Sequence, residues 1–303
     1  MPSFTAQFKL PTCSLNSVTE MAKRIFHRKR LTGCLWQIVR VGLPTYVLII
    51  LIMMFIETWL VYPMPPRHRG DWEPSQLERE DILFESADGT RLFGWYVPHQ
   101  NPRYGLVYCH GNGEHVADNA KVVASLRDEL QASVFIFDYR GYGKSEGRPY
   151  EAGVVADGEA AQKWLADRME LETDQIVMMG RSLGGAVAVA SASKLGARAL
   201  VVESSFARMT DTAQQLYPWL PVRFVMRNRY DSIARIGQYD GPLFQSHGTN
   251  DEIIPITHGR ELFQAAPTEA KKFLELHGLG HNNVPPPTYR AQIAKFLDEH
   301  SGN

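Results

Sequence analysis

Residues 175–190 read QIVMMGRSLGGAVAVA and contain the pattern G-x-S-x-G from Gly180 to Gly184. The apolar run before the pattern predicts a buried strand, and the small residues after it predict a helix. A strand that turns sharply into a helix strains the backbone of the residue at the apex, and flanking glycines give the turn room. We therefore expect Ser182 to present its hydroxyl at a helix N-terminus as a nucleophile. A plain glycine-rich turn is the alternative interpretation.

Strands and helices alternate on both sides of this turn. Residues 81–85 and 91–97 are expected to form a hairpin that turns at Asp88-Gly89. Further strands are predicted near 104–109, 133–138, 175–179, 198–202, 242–246 and 271–276, and helices near 116–130, 150–168, 184–194, 257–266 and 286–299. The alternation predicts an α/β fold with a mostly parallel central sheet, helices on both faces and the site at the carboxyl ends of the strands.

One segment, residues 206–241, does not continue the alternation. It contains the apolar, proline-bounded stretch YPWLP at 217–221. We interpret this segment as a short helical lid and refer to it below as the lid segment. Its residues Tyr217, Trp219 and Leu220 are expected to line an apolar, fairly open entrance for the substrate.

A serine hydroxyl is a poor nucleophile at neutral pH and needs a base within hydrogen-bond reach, oriented by a third group. His281 lies in the stretch GLGHNN (278–283) after the last predicted strand, and Asp251 lies in HGTNDEIIP (247–255) after the strand before it. Both should emerge on the same rim of the sheet as Ser182. We predict that His281 is the general base and Asp251 its orienting carboxylate. The competing candidates are Glu252 and Glu203 for the carboxylate, and His247, His258 and His277 for the base.

Acyl transfer also needs hydrogen-bond donors for the oxyanion that develops in the transition state. The stretch HGNG at 110–113 follows a predicted strand and can present backbone N–H groups there. We expect the N–H groups of Leu183 and Asn112 to form this oxyanion hole. The glycines could instead serve only a tight turn. Phosphate binding is less well supported because the loop matches neither G-x-G-x-x-G nor G-K-[ST].

These motifs together closely resemble the α/β-hydrolases. The residues that carry the resemblance are 110–113, DYRGYGKSEG at 138–147, 180–184, Asp251 and 280–282. The nearest branch is the serine-aminopeptidase-like one, which includes single-pass membrane-anchored hydrolases and acyl-protein thioesterases. The resemblance spans roughly 75–300 and implies a hydrolase domain at 75–303. The tract at 138–147 is expected to be structural, bending the chain beneath the site.

The function implied is hydrolysis of carboxylic esters or thioesters through an acyl-enzyme. The fold also hosts peptidases and non-catalytic relatives, so two rivals stay open. An aminopeptidase or amidase would need an acidic anchor for the free amine, for which Asp211 and Asp231 are the candidates in the lid segment. A non-catalytic scaffold would be favoured by a broken triad, whereas every member is present here. The chemistry requires no metal and no organic cofactor.

Residues 41–62 form a long apolar run whose only formal charge is Glu57. As a helix this run is long enough to cross a bilayer, and we predict a transmembrane helix rather than a buried helix or a cleaved signal peptide. Residues 1–40 are basic and include an amphipathic helix suited to an anionic membrane surface, or simply a solvated charge run. Six basic residues precede the span and three follow within 20 positions. This asymmetry predicts a cytoplasmic N-terminus and an extracytoplasmic catalytic domain, joined to the span by a linker at 63–74.

The chain has 303 residues, which accommodates one large α/β domain and an appendage. Its net charge of −1 gives no sign of a nucleic-acid partner. The cysteines, Cys13, Cys34 and Cys109, are too few and too scattered for a disulfide framework or a metal knuckle. The expected partners are therefore a membrane and a small-molecule, acylated or lipid substrate. The sequence does not determine the oligomeric state.

Overall fold

The computed structural model describes residues 15–300. Cys13 and the first 14 residues of the predicted N-terminal region lie outside the described residues. The chain divides into two compact units, Met1–Phe55 and Ile56–Asn303. The second unit includes the last residues of the apolar run, and the predicted domain boundaries stay a prediction.

The predicted N-terminal helix and the predicted span belong to one continuous helix, α1 (Leu15–Val61), which contains Pro44. Its segment Val39–Val61 has a mean hydropathy of 2.2 and is long and apolar enough to cross a membrane. This candidate span agrees with the predicted 41–62 to within two residues at either end. The orientation of the span stays a prediction.

A central sheet organises the second unit. Within the described residues it has eight strands: β1 (Glu80–Glu85), β2 (Arg91–Val97), β3 (Tyr104–Cys109), β4 (Ala132–Asp138), β5 (Ile176–Arg181), β6 (Ala199–Glu203), β7 (Leu243–Gly248) and β8 (Lys271–Leu276). Their spatial order is β1-β2-β4-β3-β5-β6-β7-β8. Strand β2 runs antiparallel to β1 and β4, and the other neighbours are parallel. The predicted α/β fold with a mostly parallel sheet is confirmed.

The remaining helices are α2 (Ala120–Leu130), α3 (Glu151–Met169), α4 (Leu183–Leu195), α5 (Met209–Leu216), α6 (Val222–Val225), α7 (Ser232–Ile236), α8 (Ile256–Ala265) and α9 (Thr288–His300). Alternate residues of the buried strands point to opposite faces of the sheet. Val107 and Cys109 join a core with α3, α4, α7 and α8, whereas Leu106 and Tyr108 join a second core with α2 and α9. The helices therefore cover both faces of the sheet, as predicted.

Two predicted helices differ in detail. The one expected at 116–130 is a 3₁₀ turn, Val116–Asp118, followed by α2, since the Asp118 carboxylate accepts the His115 N–H and closes a separate turn. The one expected at 286–299 begins at Thr288, after the proline run 285–287. The lid segment contains the short helices α5, α6 and α7.

Candidate active site

Ser182 lies at the turn between β5 and α4 with φ 54° and ψ −118°. Close packing enforces this strained conformation. A Cβ on Gly180 would lie 2.1 Å from the carbonyl oxygen of Gly184, and a Cβ on Gly184 would lie 2.0 Å from that of Cys109. Both positions therefore exclude any side chain. The backbone of Ser182 is also held from β6, because its N–H donates to the carbonyl of Glu203 at 2.9 Å.

The structure brings together the three residues predicted as a triad. The Nε2 atom of His281 lies 3.2 Å from the Oγ of Ser182, and its Nδ1 lies 2.7 Å from the Oδ2 of Asp251. All three residues are buried. A carboxylate can only accept, so Nδ1–H donates to Asp251 and Nε2 is left to accept the Ser182 hydroxyl. This is the tautomer that a general base requires.

Several donors surround the Asp251 carboxylate. Its Oδ1 accepts the N–H groups of Ile253 at 3.0 Å and Ile254 at 2.7 Å. Its Oδ2 lies 3.3 Å from Nε2 of His247 and 2.7 Å from Nδ1 of His281. Burial acts to raise the pKa of Asp251, but the bonds from His247, His281 and Ile254 outweigh burial and hold the pKa well below its usual range. Asp251 is therefore ionised at neutral pH.

Three of the five competing candidates bond groups other than the Ser182 hydroxyl, namely His247, Glu252 and Glu203. The buried His247 lies beside Asp251, and its Nε2 lies 2.7 Å from the carbonyl of Ile254. Glu252 receives the backbone N–H of His281 at 3.4 Å. Glu203 accepts the Tyr289 hydroxyl at 2.6 Å and the Arg290 guanidinium at 3.1 Å.

The loop at 110–113 follows β3 and lies against the start of α4. A Cβ on Gly184 would overlap the carbonyls of both Cys109 and His110, which shows how closely this loop approaches the turn. Leu183 is the first residue of α4, so its N–H has no acceptor within the helix. The Asn112 side chain is fixed, because its Oδ1 accepts the Tyr142 hydroxyl at 2.6 Å. The oxyanion role of Leu183 and Asn112 stays a prediction.

Residues of the tract 138–147 pack against the loop at 110–113 and bond to it. The Tyr139 hydroxyl donates to the carbonyl of His110 at 2.9 Å, and its ring centroid lies 4.4 Å from the His110 ring. Burial lowers the pKa of His110 and so favours its neutral form. Asp138 accepts the N–H groups of Val116 at 2.9 Å and Lys144 at 3.1 Å. Burial nevertheless raises the pKa of Asp138 to about 7.

The predicted substrate-binding residues of the lid segment differ in their exposure to solvent. Leu220 is buried, whereas Trp219 is 53% exposed. The amide of Gln214 donates to the carbonyls of Tyr217 at 3.3 Å and Leu220 at 3.0 Å, which fixes the turn between them. None of the three predicted residues lines the cavity beside His281. Their role in substrate binding stays a prediction.

That cavity was not foreseen from the sequence. It has a volume of about 680 Å³ and is lined in part by Arg181, Glu203, His281, Tyr289 and Arg290. Its wall combines these charged side chains with a larger apolar part that includes Leu279 and Val284, and no residue of the lid segment lines it. Among the residues the structure describes, no group of three or more His, Cys, Asp or Glu is arranged to hold a metal ion.

Sequence reasoning also missed Arg181, although it lies inside the G-x-S-x-G pattern. Its Nη1 donates to Glu114 at 2.7 Å, and its Nη2 donates to the carbonyl of His281 at 2.7 Å and to Asn282 at 2.8 Å. One guanidinium thus joins the turn at Ser182 to the loop that carries His281. The only local signal for this role was its position next to the nucleophile.

Comparisons with known proteins agree with this geometry. A family model described as serine aminopeptidase, S33, matches residues 100–234. The α/β hydrolase domain-containing protein WAV2 of Arabidopsis thaliana is 31% identical over 222 residues, which cover 68% of this chain and 70% of WAV2. The chain belongs to the α/β-hydrolase superfamily. The resemblance stated from the motifs is therefore confirmed.

Two further matches place this hydrolase among its relatives. The uncharacterized protein Rv2307c of Mycobacterium tuberculosis is 39% identical over 224 residues, covering 72% of this chain and 79% of Rv2307c. The esterase Pf2001 of Pyrococcus furiosus has a TM-score of 0.64 and 21% identity, with coverage of 79% of this chain and 100% of Pf2001. At this level of identity the esterase shows the shared fold.

Proposed function

We propose that this hydrolase is a membrane-anchored serine hydrolase that cleaves carboxylic esters or thioesters through an acyl-enzyme. One observation carries the proposal: His281 bonds Ser182 at 3.2 Å through one ring nitrogen and Asp251 at 2.7 Å through the other. A nucleophile, its base and an orienting carboxylate in this relation activate a hydroxyl at neutral pH.

Acylation begins when Nε2 of His281 takes the proton of Ser182 as Oγ attacks the substrate carbonyl carbon. The carbonyl oxygen gains the negative charge, and the N–H groups of Leu183 and Asn112 stabilise it. Removal of one such donor typically costs about 2.7–4 kcal/mol of transition-state stabilisation. The intermediate collapses, the bond to the leaving alcohol or thiol breaks, and that group takes the proton from His281.

Deacylation repeats these steps with water. His281 removes a proton from the water molecule as its oxygen attacks the acyl carbon, and the second tetrahedral intermediate expels Oγ. The proton then returns to Ser182 and the carboxylic acid leaves. Asp251 stays ionised throughout and stabilises the imidazolium that forms twice per turnover.

The candidate span at Val39–Val61 supports acyl or lipid-like substrates presented near a bilayer. The lid segment exposes Leu216, Trp219 and Phe224, which are 61%, 53% and 89% exposed. Large apolar side chains on a surface suit an apolar substrate better than a polar one. The excess of basic residues before the span supports an N-terminus in the cytoplasm and a catalytic domain on the other side of the membrane.

An aminopeptidase or amidase is the second candidate, favoured by the description of the matching family model. It needs a free carboxylate to hold the substrate amine. Asp211 instead contacts Arg223 at 2.9 Å, and Asp231 receives the Ala234 N–H at 3.1 Å and lies 3.3 Å from Arg208. Because both acids are engaged, we favour the ester or thioester reaction. Turnover of short acyl esters, acyl thioesters and aminoacyl amides, measured side by side, separates these reactions.

A fluorophosphonate probe tests the serine chemistry directly. We expect the wild-type protein to be labelled, Ser182→Ala to lose the label, and His281→Ala to be labelled far more slowly. Ser205→Ala is a suitable control, because Ser205 lies next to the turn but only donates to the Ser182 carbonyl at 2.8 Å. Absent labelling of the wild type, or undiminished labelling of Ser182→Ala, would defeat the proposal.

A further inference from the structure

The last turn of α1 belongs to the same compact unit as the catalytic sheet. Glu57 in this turn is 6% exposed, although a carboxylate opposes insertion of an apolar span. Its Oε1 accepts the N–H groups of Arg227 at 2.9 Å and Asn228 at 2.8 Å, and the Asn228 side-chain amide at 2.8 Å. Its Oε2 receives Nε of Arg227 at 3.1 Å. The carboxylate is therefore bound by the lid segment.

Tyr62 adds a second attachment to the same segment. The residue is fully buried, and its hydroxyl lies 2.9 Å from Oδ1 of Asn228 and 2.8 Å from the hydroxyl of Tyr230. Asn228 thus contacts the end of the helix twice, through Glu57 and through Tyr62. The end of α1 is fixed in position relative to the lid segment.

Between these attachments, the end of α1 reaches the loop at 110–113. The carbonyls of the last turn of a helix have no donor within the helix. The carbonyl of Val61 accepts a hydrogen bond from the side-chain amide of Asn112. The other atom of that amide, Oδ1, accepts the Tyr142 hydroxyl at 2.6 Å and the Gly113 N–H at 3.1 Å.

We propose that the end of the candidate span is part of the catalytic apparatus, with Glu57 and the Val61 carbonyl as positioning groups for Asn112. This inference rests on the proposed function, in which the Asn112 N–H stabilises the oxyanion. Glu57 fixes the last helical turn, the Val61 carbonyl fixes the Asn112 side chain, and that side chain fixes the loop backbone. A displacement of α1 along its axis therefore shifts an oxyanion donor.

Oxyanion donors act only when they are aimed at the charge that develops in the transition state. A misplaced donor lowers kcat and leaves ground-state binding of a small substrate almost unchanged. The relevant assay is thus turnover of a water-soluble short-chain ester by the full chain in nanodiscs, because access through the bilayer does not limit such a substrate.

We expect Glu57→Leu to lower kcat about tenfold or more, short of the roughly hundredfold to thousandfold cost of losing a donor outright. KM should stay within about twofold, because substrate contacts are unchanged. Glu57→Gln retains an acceptor oxygen for Arg227 and Asn228 and should recover most of kcat. Glu159→Leu is the matched control, since Glu159 is also buried but pairs with Lys194 on α3 and α4, away from α1. It should change neither constant by more than about twofold.

A double-mutant cycle separates positioning from general destabilisation. If Glu57 acts through Asn112, then Glu57→Leu has no further effect on kcat in an Asn112→Ala background, whereas independent structural effects multiply. Three results would each overturn the inference. The first is that the effects of Glu57→Leu and Asn112→Ala on kcat multiply. The others are a kcat of Glu57→Leu within twofold of wild type, or an equal loss of kcat in Glu159→Leu. Fluorophosphonate labelling of Ser182 distinguishes a failure of this inference from a failure of the proposed function. A labelled but Glu57-insensitive enzyme refutes only this inference, and an unlabelled wild type refutes the proposed function.

Discussion

The guanidinium of Arg181 donates a hydrogen bond of 2.7 Å from Nη2 to the backbone carbonyl of His281. Arg181 ends β5, and His281 lies in the loop after β8, which is three strands away from β5 in the order of the sheet. The same guanidinium binds Glu114 and Asn282. The loop that carries His281 is therefore attached to the strand end at Ser182 by the Arg181 guanidinium as well as by the contact between the Ser182 and His281 side chains.

Replacing Arg181 with Ala should lower kcat/KM by about 10-fold to 100-fold, because a displacement of about 1 Å in a reacting group can cost this much. Arg181→Lys should be intermediate, since an ammonium cannot reproduce the planar fork. Steady-state kinetics with a short ester measure both variants. Arg260→Ala is the control, as Arg260 forms an exposed ion pair with Glu275 and should lose little. Activity of Arg181→Ala within twofold of wild type would contradict the role.

Gly184→Ala should be strongly destabilising. The added methyl group would lie 2.0 Å from the carbonyl oxygen of Cys109, and backbone on both sides must move to accept it. Overpacking of this kind costs about 1–3 kcal/mol, occasionally more. Denaturant unfolding of the full chain measures the loss. Gly237→Ala is the comparison, because its nearest neighbours would lie at an ordinary 3.7 Å. Equal stabilities of the two variants would show that the turn can relax.

Asp138 should make the folded state less stable as the pH rises. Burial raises the pKa of its carboxyl to about 7 in the folded protein, against about 3.9 when the chain is unfolded. Between these values the folded state binds more protons than the unfolded state, so the free energy of unfolding falls with increasing pH. Buried His110, whose pKa is lowered, acts in the opposite direction. The difference between wild type and Asp138→Asn isolates the carboxyl.

The measurement is denaturant unfolding of wild type and Asp138→Asn between pH 5 and pH 8. The stability of wild type relative to the variant should fall across this window and level off above about pH 7. If the difference in unfolding free energy between wild type and Asp138→Asn stays constant from pH 5 to pH 8, the N–H groups of Val116 and Lys144 keep the Asp138 carboxyl ionised over that whole range.

Local patterns predicted the sheet and the convergence of Ser182, Asp251 and His281, for identifiable reasons. The strands are apolar runs bounded by turn residues, and parallel strands present their carboxyl ends on one edge. Ser182, Asp251 and His281 each follow such an end, so their convergence could be inferred without coordinates. Gly180 and Gly184 marked the sharp turn because only glycine tolerates the close approach of the backbone there.

What the sequence did not reveal depends on contacts between distant residues. Arg181 reaches His281 and Asn282, 100 and 101 positions later, and no periodicity encodes such a pair. Glu57 stood out in the sequence only as the one formal charge of the apolar run, and its partners at 227–228 lie 170 and 171 positions away. Helix α1 was divided in two because its composition changes from basic to apolar, although the backbone continues without a break.

The lid segment is inserted between β6 and β7, whose parallel register pairs Leu200 with Leu243 and Glu203 with Ser246. Because those backbone pairs hold the strands together, the insertion can lengthen, shorten or change composition without altering the register. If this segment contacts the substrate, as the proposed function has it, its exchange between homologues should transfer selectivity and leave the strands that carry Ser182 and Asp251 in place, provided that Asn228 is kept.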